Sequence, residues 1–167
     1  TVVVCDATCL ERNLNLVLQT IEISGKTLVC VNLLDEAKRK NISIDLELLS
    51  ERLGVPVVGT IARKKKTLDM FLERLCGLTD GSIETAPLLV RYDEPIERAI
   101  ALLEPVLRER VGDSISPRWL ALKLLDFDDS LISEINSYFQ TDLLADPRIS
   151  DTIENARNIL KESGMDR

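Results

Sequence analysis

Short apolar runs alternate with helically spaced apolar residues through the first half of the chain. Continuous apolar stretches at residues 2–5, 27–31 and 55–58 are typical of strands that are buried on both faces. Between the first two, apolar residues recur at intervals of three and four and favour an amphipathic helix: Leu10, Leu14, Val17, Leu18 and Ile21. Strand and helix in alternation predict a parallel sheet with right-handed crossover helices.

Residues that cap helices mark the ends of two further predicted helices. Asp45 is placed to cap a helix over residues 46–53, and Gly54 is placed to end it. Thr67 is placed to cap another helix over residues 68–75. Both helices follow predicted strands, as crossover helices do.

The pattern changes after residue 77. Residues 77–87 are rich in small and polar side chains and indicate a linker. Beyond them the periodicity is helical almost throughout, with three apolar stripes: Ile96, Ala99, Ile100, Leu103, Val106 and Leu107; Leu131, Ile135 and Tyr138; Ile149, Ile153, Ala156 and Leu160. We therefore expect an α/β domain over residues 1–77, followed by an all-α domain, a small helical bundle, over residues 78–167.

Prolines refine this helical part. Ser116 and Pro117 form a good N-cap and first-turn pair for a helix over residues 118–125. Pro105 falls inside a helical pattern and is expected to kink or divide that helix.

Composition narrows the function. The 167 residues carry a formal net charge of −7, which argues against a nucleic-acid-binding surface. The chain has no histidine, so the usual Ser-His-Asp and Cys-His catalytic sites are excluded. Its four cysteines form no C-x-x-C pair and are expected to be buried and reduced. No apolar run is long enough to cross a bilayer, and a chain that opens on a strand without Met suggests part of a larger protein.

Asn32 and Asp35 are the most informative residues. They follow a buried strand, and ligands of open α/β sheets bind beyond the carboxyl ends of strands. A carboxylate there can accept from the ring N–H and the amine of guanine, while the amide bonds the other edge of the base. Adenine would leave these groups unpaired. The alternative is structural, with Asp35 serving only as the N-cap of the next helix.

The end of the next strand offers the second element of such a site. Residues 59–63 follow it, where a main-chain N–H could bond the guanine carbonyl and a long side chain could cover the ring. Gly25-Lys26-Thr27, by contrast, is not a phosphate-binding loop, because Thr20 stands where that loop needs Gly and a helix precedes it where a strand is required. The basic run over residues 63–66 is interpreted as a solvated loop.

Several segments together resemble the ferrous iron transport protein B family. They are Asp6-Ala7-Thr8, Leu10-Glu11-Arg12-Asn13-Leu14, Asn32-Leu33-Leu34-Asp35-Glu36-Ala37 and Ser116-Pro117-Arg118-Trp119-Leu120-Ala121-Leu122-Lys123-Leu124-Leu125. The resemblance implies part of a P-loop GTPase-type sheet, with residues 1–77 as the carboxyl-terminal half of a GTP-binding domain and residues 78–167 as a helical domain. It also implies binding of GTP and GDP on the cytoplasmic face of the membrane, and a transmembrane region that moves Fe²⁺.

The resemblance also assigns residues. Asn32 and Asp35 match the guanine-specificity motif, whereas Leu33 stands where typical GTPases carry a Lys that covers the base, so weak nucleotide affinity is expected. Ala62 matches the main-chain donor of the second base-binding loop, which here comprises Thr60, Ile61, Ala62 and Arg63; Ile61 replaces a small hydroxyl residue.

The family's phosphate-binding loop, Mg²⁺-binding Thr and switch II region would lie before Thr1. This chain is therefore not expected to hydrolyse GTP, and Mg²⁺ would be bound only through residues that it does not contain. We expect the rest of the GTPase domain and the iron-permeation region to be its partners.

Two alternatives remain open from the residues. One is a non-catalytic helical interaction module, with Trp119 and the Tyr138–Phe139 pair as anchors, although core packing is the more usual role for a Trp. The other is a metal-dependent enzyme that uses Asp126, Asp128 and Asp129, acids that the start of a following helix would equally explain.

Overall fold

The computed structural model describes residues 1–112, 114–126 and 129–165, with the backbone but not the side chain of Asp129. The chain divides into two compact units, Thr1–Leu89 and Val90–Arg167. Each unit has its own hydrophobic core.

The first unit alternates strands and helices, as expected. Its elements are β1 Val2–Asp6, α1 Leu10–Ile23, β2 Leu28–Asn32, α2 Leu34–Arg39, α3 Leu46–Leu53, β3 Val57–Gly59 and α4 Lys65–Asp80, with a 3₁₀ turn at Ala7–Cys9. The strands are parallel in the order β1-β2-β3. The predicted parallel sheet is therefore confirmed.

The central strand β2 carries the core of this unit. Its first four residues are buried because helices cover both faces of the sheet. One face packs on α1 through Val17 and Ile21, and the other packs on α4 through Phe71 and Leu75. Since the strands are parallel, their carboxyl ends lie at one edge, where Asn32 is the last residue of β2 and Thr60 follows β3.

Two predicted boundaries near α4 are wrong. The helix begins at Lys65, so Thr67 lies within its first turn and does not cap it. The helix also continues through Gly77, where a linker was predicted to begin, and ends at Gly81 with φ 82°. Gly77 is buried, and a Cβ there would lie 2.8 Å from Cδ1 of Ile83, so close packing outweighs the low helix propensity of glycine. The predicted α3 is confirmed, with Asp45 as its N-cap.

The second unit is helical. Its elements are α5 Glu94–Val111, α6 Pro117–Leu125, α7 Asp129–Phe139 and α8 Pro147–Glu162, with a 3₁₀ turn at Leu143–Ala145. Ser116 caps α6 as predicted, accepting a hydrogen bond from the Trp119 N–H at 3.2 Å. Pro105 lies inside α5, which continues past it undivided.

The apolar stripe predicted for α7 is offset from the buried face. Ile132 and Ile135 are buried, whereas Tyr138 is 79% exposed. Phe139 packs against the core and contacts the Tyr138 ring edge-on. The Tyr138 assignment to the stripe is therefore wrong, because positions 132, 135 and 139 share the inward face. Trp119 packs against the same core, as the usual role of a Trp suggests.

Candidate functional site

The site forms where β2 and β3 end side by side. The chain turns sharply after β2 because Leu33 adopts a left-handed conformation, with φ 63°, immediately before α2. At the end of β3, Gly59 allows α2 to pack closely, since a Cβ there would lie 2.4 Å from Cδ1 of Leu34. This packing places the first turn of α2, which includes Asp35, beside the turn that follows β3.

Thr60 joins the two strand ends. Its N–H donates to the Val31 carbonyl at 2.8 Å, and its own carbonyl accepts from the Leu34 N–H at 3.3 Å. Its hydroxyl donates to Oδ1 of Asn32 at 3.1 Å. Thr60 is 2% exposed, so these bonds form away from water. Thr60, in the turn that follows β3, thus bonds residues on both sides of Asn32 as well as Asn32 itself.

Asn32 is held from a second direction. Its Oδ1 also accepts the Ala62 N–H at 3.2 Å, so the carboxamide bridges the two turns. Neither of these two hydrogen bonds uses Nδ2, the other polar atom of the carboxamide. The sequence predicts an Ala62 N–H that is presented to a ligand; in the structure this N–H is instead donated to Asn32.

Thr67 organises the second turn and was missed by the sequence analysis as part of the site. Its Oγ1 accepts from the Ile61 N–H at 3.1 Å and lies 3.0 Å from the Ile61 carbonyl and 2.8 Å from the Lys64 carbonyl. A sequence pattern that could have identified Thr67 is a hydroxyl residue in the first helical turn after a tight loop, because such a side chain bonds nearby main-chain groups.

Asp35 lies in the first turn of α2, with its side chain 21% exposed. It does not cap that helix, because the N-cap position is Leu33 and no side chain fills the role; the predicted capping role of Asp35 is therefore wrong. The carboxylate accepts a hydrogen bond from the Arg63 guanidinium. Partial burial raises its pKa, but the Arg63 charge and the N–H groups of Asp35 and Glu36 outweigh this effect, so the pKa lies below its usual value.

All seven residues predicted for the site thus lie on these two turns. Asn32, Thr60 and Ala62 are linked by hydrogen bonds, and Asp35 and Arg63 by an ion pair. Leu33 is 38% exposed, and Ile61 is partly exposed beside them. The carboxylate, the carboxamide and the main-chain N–H groups are complementary to a flat heterocycle that has donors on one edge and acceptors on the other.

A metal site finds no support among the described side chains, where no group of His, Cys, Asp and Glu could hold an ion. Of the acids considered for such a site, Asp128 and the side chain of Asp129 lie outside the described residues. In the part of the chain that the structure describes, no helix combines the length and apolar character needed to span a bilayer.

Comparisons with known protein families match both units. Residues 1–75 match a family model described as ferrous iron transport protein B, and residues 92–166 match one described as the FeoB cytosolic helical domain. The Fe(2+) transporter FeoB of Escherichia coli (strain K12) is 34% identical over 128 residues, which cover 75% of this chain and 16% of that protein. An Fe(2+) transport protein A/Fe(2+) transporter FeoB fusion protein of Porphyromonas gingivalis is 30% identical over 77% of this chain and 16% of its own length. The chain thus spans about one sixth of the length of these curated relatives.

Solved structures extend the similarity across nearly the whole chain. The cytosolic domain of the T. maritima FeoB iron transporter in a GDP form superposes with a TM-score of 0.63 at 26% identity, covering 96% of this chain and 65% of that one. S. thermophilus NFeoB bound to GDP·AlF4⁻ and K⁺ gives a TM-score of 0.60 at 30% identity, covering 94% of this chain and 59% of that one. With one family model on each unit and the same fold in these structures, the chain belongs to the ferrous iron transport protein B family and matches part of its cytosolic region.

Proposed function

We propose that the first unit is the guanine-recognition part of a GTP-binding region in an Fe²⁺ transporter. The observation that carries this proposal is the meeting of Asn32 and Asp35 with the Thr60–Arg63 turn at the carboxyl edge of a parallel sheet. Relatives described as bound to GDP support guanine nucleotide as the ligand.

In the proposed complex, the Asp35 carboxylate accepts from the ring N–H and the 2-amino group of guanine. The Asn32 carboxamide donates from Nδ2 to N7, and the Ala62 N–H donates to the guanine carbonyl. Binding therefore displaces Arg63 from Asp35 and redirects the Ala62 N–H from Asn32. Because these two contacts are lost on binding, and because Leu33 stands where a Lys would cover the base, we expect the nucleotide affinity to be weak. Adenine is rejected because it would leave the carboxylate unpaired.

The phosphates and Mg²⁺ are held by residues outside this chain, whose sequence contains no G-x-x-x-x-G-K-[ST] motif. The chain alone therefore does not hydrolyse GTP. The helical unit couples the nucleotide state to Fe²⁺ uptake through the membrane region, on the cytoplasmic face of the membrane. Support for this arrangement comes from the family descriptions of the two units.

Nucleotide competition with the full-length protein tests this proposal. GDP is expected to bind at least about 100-fold more tightly than ADP, because a site that bonds donors on a base discriminates strongly. Asp35→Ala removes most of this preference. Glu36→Ala, the adjacent acid on α2, is the matched control and keeps it. Equal binding of GDP and ADP by the unaltered protein contradicts the proposal.

A further inference from the structure

The Cys30 thiol lies at the inner end of a hydrogen-bond chain that reaches Asn32. Cys30 is 7% exposed on β2, and its Sγ is 3.3 Å from Oγ1 of Thr60. Thr60 is 2% exposed, and its Oγ1 is 3.1 Å from Oδ1 of Asn32. Because the two inner groups have little access to water, their polar hydrogens must be used within the protein.

One unambiguous donor sets the direction of every bond in this chain. The Ala62 N–H can only donate, so the side-chain atom of Asn32 that it faces at 3.2 Å is the oxygen and not the nitrogen. An amide oxygen only accepts, so the Thr60 hydroxyl directs its single hydrogen to it. The Thr60 oxygen then accepts from Cys30, and the thiol is the donor.

We propose that Cys30, acting through Thr60, is a positioning residue that holds the Asn32 carboxamide with Nδ2 toward the base. This inference rests on the guanine recognition proposed above. With Oδ1 fixed by the second turn, Nδ2 presents its hydrogens to an acceptor, and N7 is the acceptor on that edge of a purine. A carboxamide turned over would place its oxygen against N7, so two acceptors would face each other and the contact would be lost.

The thiol matters most once the base is bound. In the proposed complex, the Ala62 N–H donates to the guanine carbonyl and no longer to Asn32. Of the two donors that the structure shows on Oδ1 of Asn32, the Thr60 hydroxyl then remains. A hydroxyl hydrogen rotates to suit the donors and acceptors around its oxygen. Cys30 occupies the acceptor side of that oxygen and so keeps the hydrogen directed at Asn32.

The test compares GDP with 7-deaza-GDP, in which a C–H group replaces N7, on the full-length protein. The quantity measured is the ratio of the two dissociation constants. We expect the unaltered protein to prefer GDP by about 5- to 10-fold, the worth of one hydrogen bond. Thr60→Val should bring the ratio to about 1, and Cys30→Ala to about 2 or less, because the contact with N7 is lost. Cys30→Ser retains a donor and should restore the ratio.

Cys5→Ala is the matched control, since Cys5 is a buried cysteine on the adjacent strand, 1% exposed. It should leave the ratio unchanged, as should Thr60→Ser. IDP, which lacks the 2-amino group, should lose the same affinity in Cys30→Ala as in the unaltered protein, because the Asp35 contact is separate. This last comparison separates a turned Asn32 from a general loosening of the site.

Three outcomes overturn the inference if GDP is still preferred over ADP. The first is that the unaltered protein binds 7-deaza-GDP as tightly as GDP, and the second is that Cys30→Ala leaves the ratio of the two dissociation constants unchanged. The third outcome is a ratio that falls as far in Cys5→Ala as in Cys30→Ala. If Thr60→Val does not fold, the contrast between Cys30→Ala and Cys30→Ser decides alone. Loss of the GDP preference over ADP in the unaltered protein is a different result, because it refutes guanine recognition itself.

Discussion

The Arg63 guanidinium donates to the Asp35 carboxylate from the turn that follows the neighbouring strand. The acid that we propose to bind the base is therefore already engaged by a side chain of this protein. Arg63 is 71% exposed, and ion pairs with an exposed partner are weak, so a base with two donors can displace it. We therefore expect guanine to displace Arg63 from Asp35 in the proposed complex.

Arg63→Ala is expected to raise the pKa of Asp35. Partial burial already favours the protonated acid, and the variant removes the positive charge that opposes this effect. Because the folded-state pKa of Asp35 is lowered, its contribution to stability is present above the unfolded pKa and is lost as the pH falls through the folded pKa. Titration of the Asp35 carboxyl carbon by NMR measures the change. Arg39→Ala, whose partner is Glu36, should leave the Asp35 titration in place.

Asp35→Asn is expected to exchange guanine for xanthine. Asn presents a donor where Asp presents only acceptors, and xanthine carries a carbonyl where guanine carries its 2-amino group. We expect the full-length variant to bind XDP at least about 10-fold more tightly than GDP, the reverse of the unaltered protein. Competition binding with both nucleotides checks this. Retention of the GDP preference by the variant would show that Asp35 does not contact the base.

Gly54→Ala should strongly destabilise the first unit. Gly54 has φ 68°, and a Cβ there would lie 1.8 Å from the Ala86 carbonyl oxygen, which belongs to the main chain and cannot easily move. The left-handed strain and the clash together should cost roughly 3 kcal/mol or more. Gly81→Ala is the matched control: its φ is 82° with nothing within 4 Å, so it should cost only about 1 kcal/mol. Thermal unfolding followed by circular dichroism compares them.

Glu97→Gln should reduce the acid sensitivity of the helical unit. Two hydrogen bonds from Arg118, with one from the Tyr92 N–H, lower the pKa of Glu97 to about 2. The stability that this carboxylate contributes is present above its unfolded pKa of about 4.3 and is lost as the pH falls toward 2.

Urea unfolding at about pH 7 and about pH 3, followed by Trp119 fluorescence, measures this effect, since Trp119 is the single Trp of the chain. We expect the unaltered protein to lose about 1 kcal/mol more than Glu97→Gln over this interval, a modest value because Glu97 is one-third exposed. Glu104→Gln, from the exposed pair with Arg108, should behave as the unaltered protein.

The sheet and the position of the candidate site on it could be predicted from the sequence. Buried parallel strands appear in a sequence as continuous apolar runs, and their carboxyl ends lie at one edge of the sheet whatever the loops between them. Asn32 and Thr60 could therefore be placed together, because Asn32 ends β2 and Thr60 follows β3. Capping residues such as Asp45 and Ser116 were equally predictable, because a cap depends only on local main-chain donors.

Contacts that depend on the exact course of a turn were not predictable. Thr67 has the pattern of an N-cap, yet the chain enters α4 earlier and its hydroxyl binds the preceding turn instead. The exposure of Tyr138 depends on a helix rotation of one position, which a pattern of neighbouring apolar residues does not distinguish. The Arg63–Asp35 pair depends on the direction of a long side chain that periodicity does not describe.

The double attachment of Thr60 also has a kinetic consequence. Its N–H is held by Val31, and its carbonyl holds the N–H of Leu34, so a single peptide segment protects amides on two different turns. A fluctuation that withdraws Thr60 exposes both amides to solvent at once, and they should exchange with deuterium at a shared rate. We therefore expect the turns that follow β2 and β3 to open as one cooperative unit and not as independent loops.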